Sequence, residues 1–147
     1  MHTKYASVTG ESAESVLREL GHHAVERGYA EEGYVSAILE REAEFPTGLS
    51  IPTESFGIAI PHADPEHVVE EAVILGLPPA PVGFASMDDP DETVQAEAVL
   101  LLLAGDSDGY TAFLSNLVNL FQDPAFVRAV REDDADAVLG LVDEHCL

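Results

Sequence analysis

The residues best placed to do chemistry are His62, its neighbour Asp64, and Arg41. His62 follows the β-prone run Gly57-Ile58-Ala59-Ile60 and a proline, Pro61. Proline fixes φ and has no N–H for a sheet ladder. Pairing is therefore expected to stop near Pro61, leaving His62 where a strand gives way to a loop. An imidazole held there is aimed by the strand yet open to a partner. That suits a ring that accepts a group and hands it on. A carboxylate at Asp64 near one ring nitrogen would fix the tautomer and leave the other nitrogen nucleophilic. Plainer readings stand beside these: His62 as a structural residue, and Asp64 as the cap of a following helix with Pro65 at its first position.

Arg41 is one of only six basic residues, late in a predicted helix, in Arg41-Glu42-Ala43-Glu44. A guanidinium matches a phosphoryl group through paired N–H donors. The alternative is a surface arginine paired with Glu44 or with the dipole at the helix C-terminus. The adjacent His22 and His23 would point about 100° apart on a helix and cannot readily chelate one ion. His2, His67 and His145 have no ligand-like spacing. No glycine-rich phosphate loop and no G-x-S-x-G elbow occurs. The single cysteine, Cys146, excludes an internal disulfide and a cysteine-rich zinc site. No metal and no cofactor is expected.

The elements that must position these groups follow from periodicity. Residues 12–27 read as a helix capped by Ser12, with Val16, Leu20 and Ala24 on one face. A second helix is expected from Glu31 to Glu44, with Tyr34, Val35, Ile38 and Leu39 inward, broken by Phe45-Pro46-Thr47-Gly48. A polar loop with Pro52 and Thr53 leads into the Gly57–Ile60 strand. Ala72–Leu77 reads as a strand, Val82–Ala85 as a short edge strand, and Met87–Asp91 as a turn. Ala98–Ala104, bounded by Gly105-Asp106, is apolar on every side and reads as a central, doubly covered strand. Three helices complete the chain: about Gly109–Phe121, one starting at Asp123-Pro124, and about Asp134–Glu144. Helices at both ends with strands between predict an α/β sandwich.

The 147 residues suffice for one domain, 1–147, with a real core. No apolar stretch of about 18 residues exists, and Met1-His2-Thr3-Lys4 opens no apolar leader. The reading is a soluble, cytoplasmic protein with no direct membrane insertion. The formal charge is −22, from 28 acids against 6 bases. Six cations cannot build a basic face, so no nucleic acid is expected as partner. Self-repulsion on this scale is relieved at molar salt, where the Debye length is about 3 Å. The charge thus fits a halophilic source, with acidic solubility as the other reading.

Two motifs together carry a resemblance: Arg41-Glu42-Ala43-Glu44-Phe45-Pro46-Thr47-Gly48 and Ile58-Ala59-Ile60-Pro61-His62. In this order and spacing they resemble the fructose–mannitol type of enzyme IIA of the phosphoenolpyruvate-dependent sugar phosphotransferase system. The first motif is most similar to the galactitol branch. The resemblance spans nearly the whole chain, and Met87–Asp91 and Asn119–Pro124 also fit it. It implies an α/β sandwich with a mixed central sheet. It implies that His62 takes a phosphoryl group from the phosphocarrier HPr and passes it to a cysteine of enzyme IIB, here a separate chain. The group then reaches a sugar entering through the membrane subunit, enzyme IIC. Arg41 would neutralise the phosphoryl oxygens.

One departure from the resemblance concerns a second active-site histidine. Mannitol- and fructose-type members carry it at the start of the helix after the last long strand. Here that helix begins Gly109-Tyr110-Thr111-Ala112-Phe113, and no histidine lies between His67 and His145. Galactitol-like members also lack it. Tyr110 or Thr111 would supply a hydroxyl donor, or the pair simply faces solvent. Two other functions stay open at this level: a IIA-like phosphorylation sensor with a regulatory role, and a non-catalytic acidic binding domain. The sugar and the oligomeric state are not legible.

Overall fold

The six residues Ala98–Leu103 are wholly apolar, and in the computed structural model they form the middle strand of a five-stranded sheet. Residues 1–104 and 109–147 are described, so the Gly105-Asp106 boundary expected for this strand lies outside the described residues. In chain order the elements are β1 (His2–Ala6), α1 (Ala13–Glu26), α2 (Tyr34–Glu44), β2 (Gly48–Ile51), β3 (Phe56–Ala59) and β4 (Ala72–Gly76). There follow β5 (Val82–Ala85), β6 (Thr93–Ala96), β7 (Ala98–Leu103), α3 (Tyr110–Phe121), α4 (Pro124–Arg131) and α5 (Ala135–Cys146). The sheet order is β1-β4-β7-β3-β2. β7 runs antiparallel to β4, from Leu103 opposite Ala72 to Val99 opposite Gly76, and parallel to β3. The sheet is thus mixed, as expected.

Side chains of a strand alternate between its faces, so β7 feeds two cores. Leu100 and Leu102 join Val73, Leu75 and Ile58 under α3, α4 and α5. Val99, Leu101 and Leu103 join Ile74, with Val16 and Leu20 of α1 and Ile38 of α2 on the other face. Each fully buried leucine contributes about 2 kcal/mol of transfer free energy. The chain is an α/β sandwich with helices on both faces.

Local chemistry explains the helix starts. Ser12 accepts from the Ser15 N–H at 3.2 Å, while the Ser12 N–H donates to Ser15 Oγ at 3.1 Å, a capping box for α1. Asp123 and Asp134 cap α4 and α5 through backbone N–H groups at 2.9 and 3.1 Å. The second helix begins at Tyr34 rather than Glu31. The Glu31 N–H is taken by the His67 carbonyl at 2.9 Å and Ala30 bridges to Val68, so the chain leaves this bridge through a turn at 32–33 before the helix starts. Tyr34 and Ile38 are buried as expected, whereas Val35 and Leu39 are half-buried.

Three strands lie outside the periodicity reading. β1 precedes the first helix and pairs with β4; only Ala6 in it is buried, so no alternation marks it. β2, within the stretch read as a polar loop, pairs antiparallel with β3 through a turn in which Ser55 is left-handed at φ 50. β6 pairs with β5 in a two-stranded ribbon laid against β2 and β3. That approach is close: a Cβ at Gly57 would collide with the Gln95 carbonyl, and one at Gly48 would come within 2.7 Å of the Ala85 carbonyl. Both glycines are there because backbone meets backbone.

Candidate functional site

The site forms where β3 runs out beside the end of β7. The expected stop in pairing at Pro61 is only half right. Proline lacks a donor but keeps its carbonyl, and Pro61 O accepts from the Leu102 N–H at 2.9 Å. His62 then makes an isolated parallel bridge to Leu102. The histidine is therefore clamped to the central strand rather than freed on a loop.

The ring of His62 is half-buried, and its Nδ1 lies 2.9 Å from the Ile60 carbonyl. A carbonyl only accepts, so Nδ1 carries the proton and Nε2 keeps a lone pair. The orienting group is thus a backbone oxygen two residues back. Asp64, expected to hold the tautomer, points its carboxylate elsewhere: Oδ1 accepts from Arg41 Nη1 at 3.1 Å. Asp64 does precede a single 3-10 turn opening with Pro65, yet its side chain caps nothing there.

Arg41 stands in the last turn of α2, on the face that also carries Tyr34 and Ile38. Its guanidinium lies over the Phe45 ring, 4.5 Å from the centroid. The pairing with Glu44 weighed from sequence is replaced by the longer-range pair with Asp64. Arg41 Nε is buried and has no hydrogen-bond partner among the described residues. Such a donor is an unsatisfied valence buried beneath the guanidinium.

A cavity of about 320 Å³ opens between Arg41, His62, Asp64, Pro65, Leu102 and Tyr110. Burial pushes the Tyr110 phenol above its ordinary range, with Arg41 pulling the other way. At neutral pH it remains an O–H donor. Behind it, the fully buried Tyr34 has a hydroxyl without a partner among the described residues. Burial, and then the Tyr110 phenol, raise its pKa. Thr111 is exposed.

A connection absent from the sequence reading joins the two motifs. Glu42 accepts from the Thr47 N–H at 2.8 Å and from the Thr47 hydroxyl at 2.7 Å. The Thr47 carbonyl accepts from the Ile60 N–H at 3.2 Å, and the Ile60 carbonyl holds the ring of His62. The end of α2 is thereby tied to the histidine through backbone. Burial pushes the Glu42 carboxyl up, and its two bonds to Thr47 partly oppose that. The signal in sequence was an acid and a threonine five apart across a helix-breaking Phe45-Pro46.

Two larger clefts, of about 470 and 400 Å³, lie elsewhere and hold no histidine. They share Glu97, which is paired with Arg131 at 3.0 Å. No group of three or more potential metal ligands occurs among the described residues, and His22 and His23 remain apart from the cavity. A ring nitrogen with a free lone pair, a cation and a neutral phenol around one opening make an arrangement that can receive and hold an anionic group.

Comparison with known proteins bears on what that group is. Residues 3–145 match the family model for the phosphoenolpyruvate-dependent sugar phosphotransferase system, EIIA 2. The galactitol-specific EIIA component of Escherichia coli K12 is 31% identical over 115 residues, covering 78% of this chain and 75% of that one. Enzyme IIA for mannitol, in its complex with phosphorylated enzyme IIB from Escherichia coli, superimposes with a TM-score of 0.72 at 23% identity, covering 96% and 94% of the two chains. The nitrogen regulatory protein IIA-Ntr of Neisseria meningitidis gives a TM-score of 0.74 at 20% identity, covering 95% and 92%. The motifs, the sandwich and these likenesses converge: the chain belongs to the EIIA 2 family of the phosphoenolpyruvate-dependent sugar phosphotransferase system and is a phosphotransferase that carries its phosphoryl group on histidine.

Proposed function

We propose that His62 is the residue that carries the phosphoryl group, that phospho-HPr loads it, and that a cysteine of enzyme IIB unloads it toward a membrane enzyme IIC. The observation that carries this reading is the 2.9 Å contact of His62 Nδ1 with the Ile60 carbonyl, which leaves Nε2 as nucleophile at the mouth of a cavity lined by Arg41. In loading, the Nε2 lone pair forms the new N–P bond while the donor's P–N bond breaks and its electron pair returns to the donor nitrogen. The Nδ1 proton stays against the Ile60 carbonyl, so the ring gains positive charge opposite the phosphoryl oxygens. That charge makes the ring a good leaving group when a thiolate attacks phosphorus. Arg41 and the Tyr110 hydroxyl oppose the negative charge on the oxygens in flight, and no metal is needed. Thr111, exposed on the first turn of α3, is the weaker candidate for a hydroxyl donor.

The 31% identity to galactitol-specific components supports a galactitol-type transporter as the destination. No helix among the described residues is long and apolar enough to cross a membrane. Work at the cytoplasmic side of such a transporter fits this. The acid excess of 28 over 6 further supports operation in concentrated salt. Resistance to denaturant should rise steadily from about 0.1 M to molar salt as repulsion is screened. A flat or falling profile would remove the halophilic reading.

The test of the site is incubation with HPr, enzyme I and labelled phosphoenolpyruvate in high salt, followed by mapping of the modified residue. The wild-type chain should take label at His62, His62→Ala none, and His23→Ala as much as wild type. Equal labelling of the two variants would refute the assignment.

A further inference from the structure

The Arg41 guanidinium already has partners on the side from which a phosphoryl group on His62 would meet it. Nη1 is bonded to Asp64 at 3.1 Å, and the Phe45 ring covers one face at 4.5 Å. Nε is buried, so the inner end of the guanidinium sits in the fold while Nη1 faces the carboxylate. Asp64 comes from the segment that carries His62, two residues on, and its side chain is 78% exposed against 32% for Arg41. It therefore reaches the guanidinium from the open side of the cavity, where a phosphoryl group on His62 would also lie. A phosphoryl group brings about 1.5 to 2 negative charges at neutral pH. One cation would then face two anions.

We propose that Asp64 is a positioning residue that competes with the phosphoryl group for Arg41 and so raises the readiness of phospho-His62 to give that group up. The inference rests on the His62 reading above. A carrier gains nothing by holding its cargo tightly, because stabilising the loaded state more than the transition state slows unloading. An unopposed arginine would do that. A tethered carboxylate offsets the attraction in the loaded state. In the empty state it keeps the guanidinium aimed across the cavity.

The experiment equilibrates the chain with HPr and phospho-HPr at fixed ratio and measures the loaded fraction of His62 by mass spectrometry at alkaline pH. Asp64→Asn should raise the loaded-to-empty ratio about two- to fivefold near 0.1 M salt, the scale of an exposed charge pair. The shift should shrink toward molar salt. Asp64→Glu should restore the wild-type ratio. In an Arg41→Ala background, Asp64→Asn should shift nothing.

An unchanged ratio in Asp64→Asn, in a variant that still labels, overturns the inference while leaving His62 as carrier. The same shift with and without Arg41 also overturns it, since Asp64 would then act on the phosphoryl group directly. A wild-type chain that takes no label at His62 overturns the relay reading and this inference together. Asp64→Ser provides a second uncharged variant should the asparagine fold poorly.

Discussion

At the Val99 end of β7, Arg131 is closed off by its partners. Its Nε and Nη2 reach both oxygens of Glu97 at 3.0 and 3.1 Å, and Nη2 also donates to the Ser55 carbonyl at 2.8 Å. The Phe56 ring lies beneath, 5.9 Å from the guanidinium carbon. At the Leu102 end, Arg41 has the same ingredients, an aromatic face and a carboxylate, but only one hydrogen bond to that carboxylate. Its Nε has no partner among the described residues. The first arrangement ties α4 to the β3 turn and finishes a surface. The second leaves donors unspent beside a nucleophilic ring. In a chain with six basic residues, the difference separates an arginine fully engaged in the fold from one held by a single exposed carboxylate at the rim of a cavity.

The comparison breaks most sharply under substitution. Arg41→Ala should fold and keep His62 labelling detectable but slow transfer by roughly 10²-fold, the usual cost of losing one preorganised charge donor. Rapid-quench measurement of label arrival checks this, and an unchanged rate would take Arg41 out of the mechanism. Arg131→Ala should do the reverse. It should cost about 1 kcal/mol in denaturant unfolding, as for a partly exposed ion pair, and leave the transfer rate near wild type. If both alanines slowed transfer alike, the contrast between the two ends would be void.

The smallest effect is a pH dependence at the link between the motifs. Burial raises the Glu42 carboxyl above its ordinary 4.5. The folded state thus binds this proton more tightly than the unfolded chain does. The stability so gained is full below pH 4.5 and is lost as pH rises through the folded value. Glu42→Gln should remove that downward slope just above pH 4.5, read from unfolding midpoints across pH 4 to 7. A slope identical in both proteins would mean that burial at Glu42 is not felt by the fold.

The two ends of β7 also differ in how far the sequence foretold them. That His62 and Arg41 stand out was legible, since an apolar run ending in proline and a rare cation mark themselves, and the structure brings both to one cavity. So were the helices with clean caps, and the central strand with its unbroken apolar run. The missed strands β1, β2 and β6 lie outside the β4-β7-β3 centre, and their short segments hold their register through neighbours rather than through a pattern of their own. The role of Asp64 was misread because nearness in sequence suggested His62, whereas its carboxylate meets an arginine 23 positions away. The Glu42–Thr47–Ile60 connection was invisible for a related reason. Its middle step runs through main-chain atoms that every residue possesses.

The 2.9 Å contact between the His62 ring and the Ile60 carbonyl has one more consequence. Turning the imidazole over would exchange its nitrogens and give up that hydrogen bond, worth about 1 kcal/mol, so the bond favours one outward nitrogen. With His62 as the proposed carrier, loading and unloading would share that one atom and one doorway. Under that proposal two proteins that each need the doorway would exclude one another, traffic would alternate, and a surplus of either visitor in its spent form would inhibit the other.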